Sequence, residues 1–126
     1  MELRATAAFV RWHQRIEDPE LARLVNQLRR GLTRLTERPT EPTAHLTPLV
    51  QATRHNIWRI KHPHQDDYAV RLLLWFPDDN DDEIVIVFAG NKHPNHDLWY
   101  DRATRETEAA VDQLIRQRPA RPKEQP

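Results

Sequence analysis

The chain predicts an α+β domain in which N-terminal helices pack on a small antiparallel sheet, followed by a C-terminal helix. Three observations carry that expectation. Two early stretches place apolar residues at helical intervals, three later runs have strand character with short turn-like links, and a final amphipathic stretch precedes a proline-rich end. At 126 residues the chain suits one core, expected over residues 1–117, with 118–126 ("RPARPKEQP") as a disordered tail.

The first helix is expected over residues 6–16, where Phe9, Val10, Trp12 or His13, and Ile16 follow Thr6 as N-cap. The second, over 18–36, has clearer start signals: Asp18 as N-cap, Pro19 at the first helical position and Glu20 in the first turn. Leu21, Leu24, Val25, Leu28, Leu32 and Leu35 then share one face. Residues 37–56 replace this period with prolines and threonines and read as an irregular connector.

Three strand runs follow, at 56–62, 68–77 and 83–90, and the links "PHQDD" and "DDNDD" make them an antiparallel meander. In the second run Tyr68, Val70, Leu72, Leu74 and Phe76 share a face suited to the helices. Arg71, Leu73 and Trp75 share the other. With Trp58 and Ile60 turned to the core, Arg59 and Lys61 join Arg71 on a sheet face expected to be open and cationic. The last helix is expected over 101–117, with acids early and arginines late.

Composition bounds the chemistry. With no cysteine, disulfides, thiolate metal sites and Cys nucleophiles are excluded, which leaves His, Lys, Arg, Tyr and carboxylates. The zero net charge divides into 11 Lys+Arg against 6 Asp+Glu over residues 1–65 and 8 against 13 over 66–126, so a polyanion would meet the first half. No apolar run approaches the roughly 20 residues that span a bilayer, and the N-terminus lacks a signal-peptide pattern, so a cytoplasmic protein without membrane partners is expected.

The segment "VFAGNKHPNHDLWYDRA" leaves the last strand through a glycine, a lysine, two histidines and a Trp-Tyr pair. Together with "EDPELARLVNQLRRGLTRLTERPT" as a paired-helix region and "IWRIKH" and "YAVRLLLW" as central strands, it resembles the RelE/ParE toxin superfamily over roughly residues 6–115. The exit looks like that family's Gly-basic-basic turn followed by an aromatic-Tyr pair. Much of the family has an arginine directly after the strand tyrosine. Here Ala69 stands there, and Arg71 follows two residues later.

The resemblance implies a toxin of a toxin–antitoxin pair, and many RelE-like members cleave mRNA in the ribosomal decoding site. Attack of a ribose 2′-OH on the adjacent phosphate needs a base, an acid and cations, without a metal or other cofactor. The implied catalytic set is Lys61, Arg71, Lys92, Tyr100 and His62. Arg71 and Lys92 would clamp phosphate, Lys61 would be a clamp or base, and Tyr100 an acid, a base or a stacking platform. Arg59, Trp75, His93 and Trp99 would bind substrate. The implied partners are an antitoxin protein, mRNA and the ribosome.

Three other readings remain open at this point. A ParE-like member would inhibit DNA gyrase by binding alone. An interaction module would use Leu73, Trp75 and Trp99 as an exposed partner surface. His62, His64, His93 and His96 would form a zinc or manganese site if their loops meet.

Overall fold

Both early helices begin where their cap residues predict. The computed structural model describes residues 1–63, 68–91 and 96–118. Thr6 accepts from the Phe9 amide at 3.1 Å and opens helix α1, Ala7–Gln14. Asp18 accepts from the Glu20 and Leu21 amides at 2.9 and 3.4 Å and opens α2, Pro19–Thr33. Helix α2 buries Leu24, Val25, Leu28 and Leu32, as its period requires.

The sheet is larger than the sequence reading and is mixed in direction. Five strands, β1 (Glu2–Ala5), β2 (Leu46–Pro48), β3 (Ile57–Lys61), β4 (Val70–Trp75) and β5 (Glu83–Asn91), lie in the order β1-β5-β4-β3-β2. The expected meander is β3-β4-β5, with antiparallel pairing throughout. Added to it are β2, antiparallel to β3, and β1, which pairs with β5 in parallel. Both additions are too short to show a period of two. Pro48 is tolerated in β2 because that strand is an edge.

The second face of the sheet is covered, which corrects the expectation of an open one. On one side α1 and α2 bring Phe9, Leu24, Val25, Leu28 and Leu32 against strand residues such as Trp58, Leu72, Leu74 and Ile86. On the other, helix α3 (His96–Gln117) brings Tyr100, Ala103 and Val111 against Ile57, Leu73, Trp75, Val85 and Val87. Leu73 and Trp75 are therefore only 0% and 4% exposed, and no partner surface can be built on them. Strand β4 is buried along its whole length, which explains the uninterrupted apolar run over residues 72–75.

Helix α3 also starts five residues before the expected 101 and so takes Trp99 and Tyr100 into its first turns. At its far end Arg118 bonds Glu83 at 2.8 Å and Asp79 at 3.1 Å, with its guanidinium 5.3 Å from the centre of the Trp75 ring. Arg4 reaches the same buried Glu83 at 3.1 Å. Lengthwise, these ties fix the helix along the sheet. None of the helices is long and apolar enough to cross a membrane, among the described residues.

Candidate functional site

The register of β3 on β4 pairs Lys61 with Arg71 and Arg59 with Leu73, so Arg59, Lys61 and Arg71 share the face that α3 covers. The first turns of α3 lie above them and deliver one phenol. Arg59 donates from Nη1 to the Tyr100 hydroxyl oxygen at 2.8 Å, and Arg71 donates from Nε to the same oxygen at 3.2 Å. The Arg59 guanidinium also stands 5.4 Å from the centre of the Tyr100 ring.

Each guanidinium is held further by the sheet. Arg59 Nη2 donates to Thr47 Oγ1 at 3.0 Å, using the short edge strand β2 as a brace. Arg71 Nη1 donates to the backbone carbonyls of His62 and Val70 at 3.1 and 2.8 Å. Arg71 is 5% exposed and Tyr100 9%, while Arg59 and Lys61 are half-buried at the rim. Among the described residues no carboxylate ion-pairs with Arg59, Lys61 or Arg71, although Arg4, Arg23, Arg38, Arg54, Arg102 and Arg118 all have acidic partners.

That imbalance has an electrostatic meaning. A cation withdrawn from water is costly unless an anion or several oxygens compensate it. Here neutral oxygens from a phenol, a threonine and two carbonyls do so. Among the described residues no carboxylate neutralises either charge, and Arg59 Nε is buried without a hydrogen-bond partner. The cluster therefore attracts an anion small enough to reach its rim.

The acidic "DDNDDE" hairpin does not cancel this field. It lies beyond Trp75 and Val85, whereas Arg71 pairs with Gly90 at the other end of the same strands. Asp79, Asp81 and Glu83 are met there by Arg118, Arg38 and Arg4.

The predicted residues divide accordingly. Arg59, Arg71 and Tyr100 are brought together, and Lys61 stands beside them as the cross-strand neighbour of Arg71. Arg71 is turned inward, with its donors on Tyr100 and two carbonyls, so it positions the cluster instead of offering a free phosphate clamp. His62 is not part of the group: its imidazole meets Gln27 of α2 at 2.9 Å, on the opposite face, and only its carbonyl reaches Arg71. The period of two places it there with Ile60.

Trp75 is buried beneath Arg118 and lies four residues from Arg71, so it cannot line this site. Trp99 sits edge-on to Tyr100 with ring centres 5.0 Å apart. Lys92, His93 and His64 lie outside the described residues, as does the side chain of His96. No group of three His, Asp or Glu side chains that could hold a metal ion occurs among the described residues.

Sequence reasoning missed Thr47, hidden in a connector read as irregular, and it gave Gly90, the last residue of the third strand run, no part beyond the exit from that strand. Fold and site together define an α+β protein with a three-helix, five-stranded architecture and a shielded Arg-Arg-Tyr cluster between sheet and C-terminal helix. No family model matches the chain, and no curated protein sequence matches it significantly.

Proposed function

We propose that the chain is a RelE/ParE-like toxin of a toxin–antitoxin pair and a metal-independent endoribonuclease that cuts mRNA at the ribosome in the cytoplasm. The observation that carries this reading is the convergence of Arg59 and Arg71 on Tyr100, with no carboxylate counter-ion to either arginine among the described residues. A phosphodiester is the anion that such a cluster, with Lys61 at its rim, would accept.

In the proposed reaction the ribose 2′-oxygen forms a bond to phosphorus as the bond from phosphorus to the 5′-oxygen breaks. The 2′ proton passes to a base and the departing 5′-oxygen receives a proton, leaving a 2′,3′-cyclic phosphate and a 5′-hydroxyl. Arg59 and Lys61 stabilise the charge on the non-bridging oxygens. The Tyr100 hydroxyl, oriented by Arg71, exchanges a proton at one of the two reacting oxygens. An antitoxin protein would restrain this activity by covering the rim.

The test is induced expression of wild type, Arg59→Ala and Tyr100→Phe, with growth followed and mRNA 5′ ends mapped. Growth arrest with new 5′-hydroxyl ends that both variants lose is the expected result. In purified form, cleavage should persist in EDTA. Arrest without new ends would move the target to DNA gyrase or another bound protein, and harmless expression would remove the toxin reading altogether.

A further inference from the structure

Gly90 is buried within β5 and pairs across the sheet with Arg71. Its backbone lies outside the left-handed region, so its conformation does not require glycine. Glycine inside a strand sacrifices entropy and packing, and it usually marks a close approach by another group. Here the approaching group is Trp99. A Cβ added at Gly90 would lie 2.9 Å from Trp99 Nε1, 3.1 Å from Cζ2 and 3.3 Å from Cε2.

The indole is half-buried, borders a cavity beside Gly90 and packs against two other rings. Its ring meets Phe88 with centres 5.8 Å apart at 63° and Tyr100 with centres 5.0 Å apart at 85°. Beyond Tyr100 stand Arg59 and Arg71, both bonded to its hydroxyl oxygen.

We propose that Gly90 is a positioning residue: the space left by its missing side chain seats the Trp99 indole, and the seated indole holds the Tyr100 hydroxyl on Arg59 and Arg71. Restoring a Cβ displaces the indole by several tenths of an ångström, and Tyr100, its chain neighbour and edge-on ring partner, moves with it. Displacement of a reacting group on that scale lowers turnover with little effect on binding. The consequence for catalysis rests on the endoribonuclease reading, whereas the geometric consequence does not.

Two measurements separate them. The chain contains only two tyrosines, Tyr68 and Tyr100, so 3-fluorotyrosine labelling gives two fluorine resonances, assigned with Tyr68→Phe. Gly90→Ala should shift the Tyr100 resonance and leave that of Tyr68 in place, and the same substitution in a Trp99→Phe background, where the smaller ring vacates the contact, should add little or no shift relative to Trp99→Phe alone. In parallel, Gly90→Ala should lower the RNA cleavage rate at saturating substrate by roughly tenfold to a hundredfold with KM little changed, and the double variant should recover it.

An unmoved Tyr100 resonance in Gly90→Ala, or a Gly90→Ala shift that persists undiminished in the Trp99→Phe background, overturns the inference. If Gly90→Ala does not fold, Gly90→Ala/Trp99→Phe should, because the smaller ring relieves the contact, and a double variant that also fails to fold overturns it equally. A wild-type protein that cuts no RNA defeats the endoribonuclease reading and leaves the fluorine shifts to decide the role of Gly90.

Discussion

Replacing Tyr100 by phenylalanine deletes one oxygen and keeps the ring that packs on Trp99 and under Arg59. What is lost is the shared acceptor of two guanidinium groups. Hydrogen bonds to charged donors contribute about 1.5–3 kcal/mol each, but the two losses differ. Arg59 is half-buried, and water can replace the phenol at its rim, so its share is about 0–1 kcal/mol. Arg71, at 5% exposure, has no such replacement for its Nε donor and carries the larger share.

A net loss of about 2 kcal/mol in unfolding free energy is expected. Urea denaturation of Tyr100→Phe, Arg71→Met and the double variant measures it, with a coupling of about 1–2 kcal/mol between the two sites. On the proposed reaction, Tyr100→Phe also lowers the cleavage rate by about 10²–10⁴-fold, the usual worth of a proton-transfer group. Additive destabilisations, with coupling inside the error of about 0.3–0.5 kcal/mol, would show that Arg71 does not hold Tyr100 in solution.

Two further outcomes test the helix that carries Tyr100. Thr107 is fully buried in α3 and its hydroxyl has no hydrogen-bond partner, so Thr107→Val should raise stability by about 1 kcal/mol, read as a thermal midpoint a few degrees higher. Asp112 is held below its ordinary value of 3.8 first by its bond to His55 and then by Arg54. Because the folded value is the lower one, its stabilisation is complete above the unfolded value and is lost as pH falls through the folded value. Asp112→Asn should therefore flatten the pH dependence of stability below pH 3.8.

The sequence announced the parts whose signals are local. Helix α2 was legible because Asp18, Pro19 and Glu20 supply cap, first-turn and dipole signals before a regular apolar stripe. Strand parity put Arg59, Lys61 and Arg71 on one face, where the structure has them. The cover over that face was not legible, because α3 presents Ala103, Thr104, Thr107 and Val111 to the sheet and half of those side chains read as polar. Strands β1 and β2 are held by long-range pairing, and runs of 4 and 3 residues contain too little pattern to announce it. Tyr100 was picked for its place after the exit turn. Its actual position depends on α3 starting early enough to fold it back over the arginines.

The parallel pairing of β1 with β5 ties Glu2 to Glu83 and Ala5 to Ile86. Strand β1 therefore cannot pair until β5 exists and the intervening helix pair has crossed the sheet. A ladder of that sequence separation forms late, after the local meander and helices have collapsed. Tyr100 lies later still, in the closing helix. A nascent chain therefore has no complete Arg-Arg-Tyr cluster until Tyr100 has been made and α3 has folded back over the sheet.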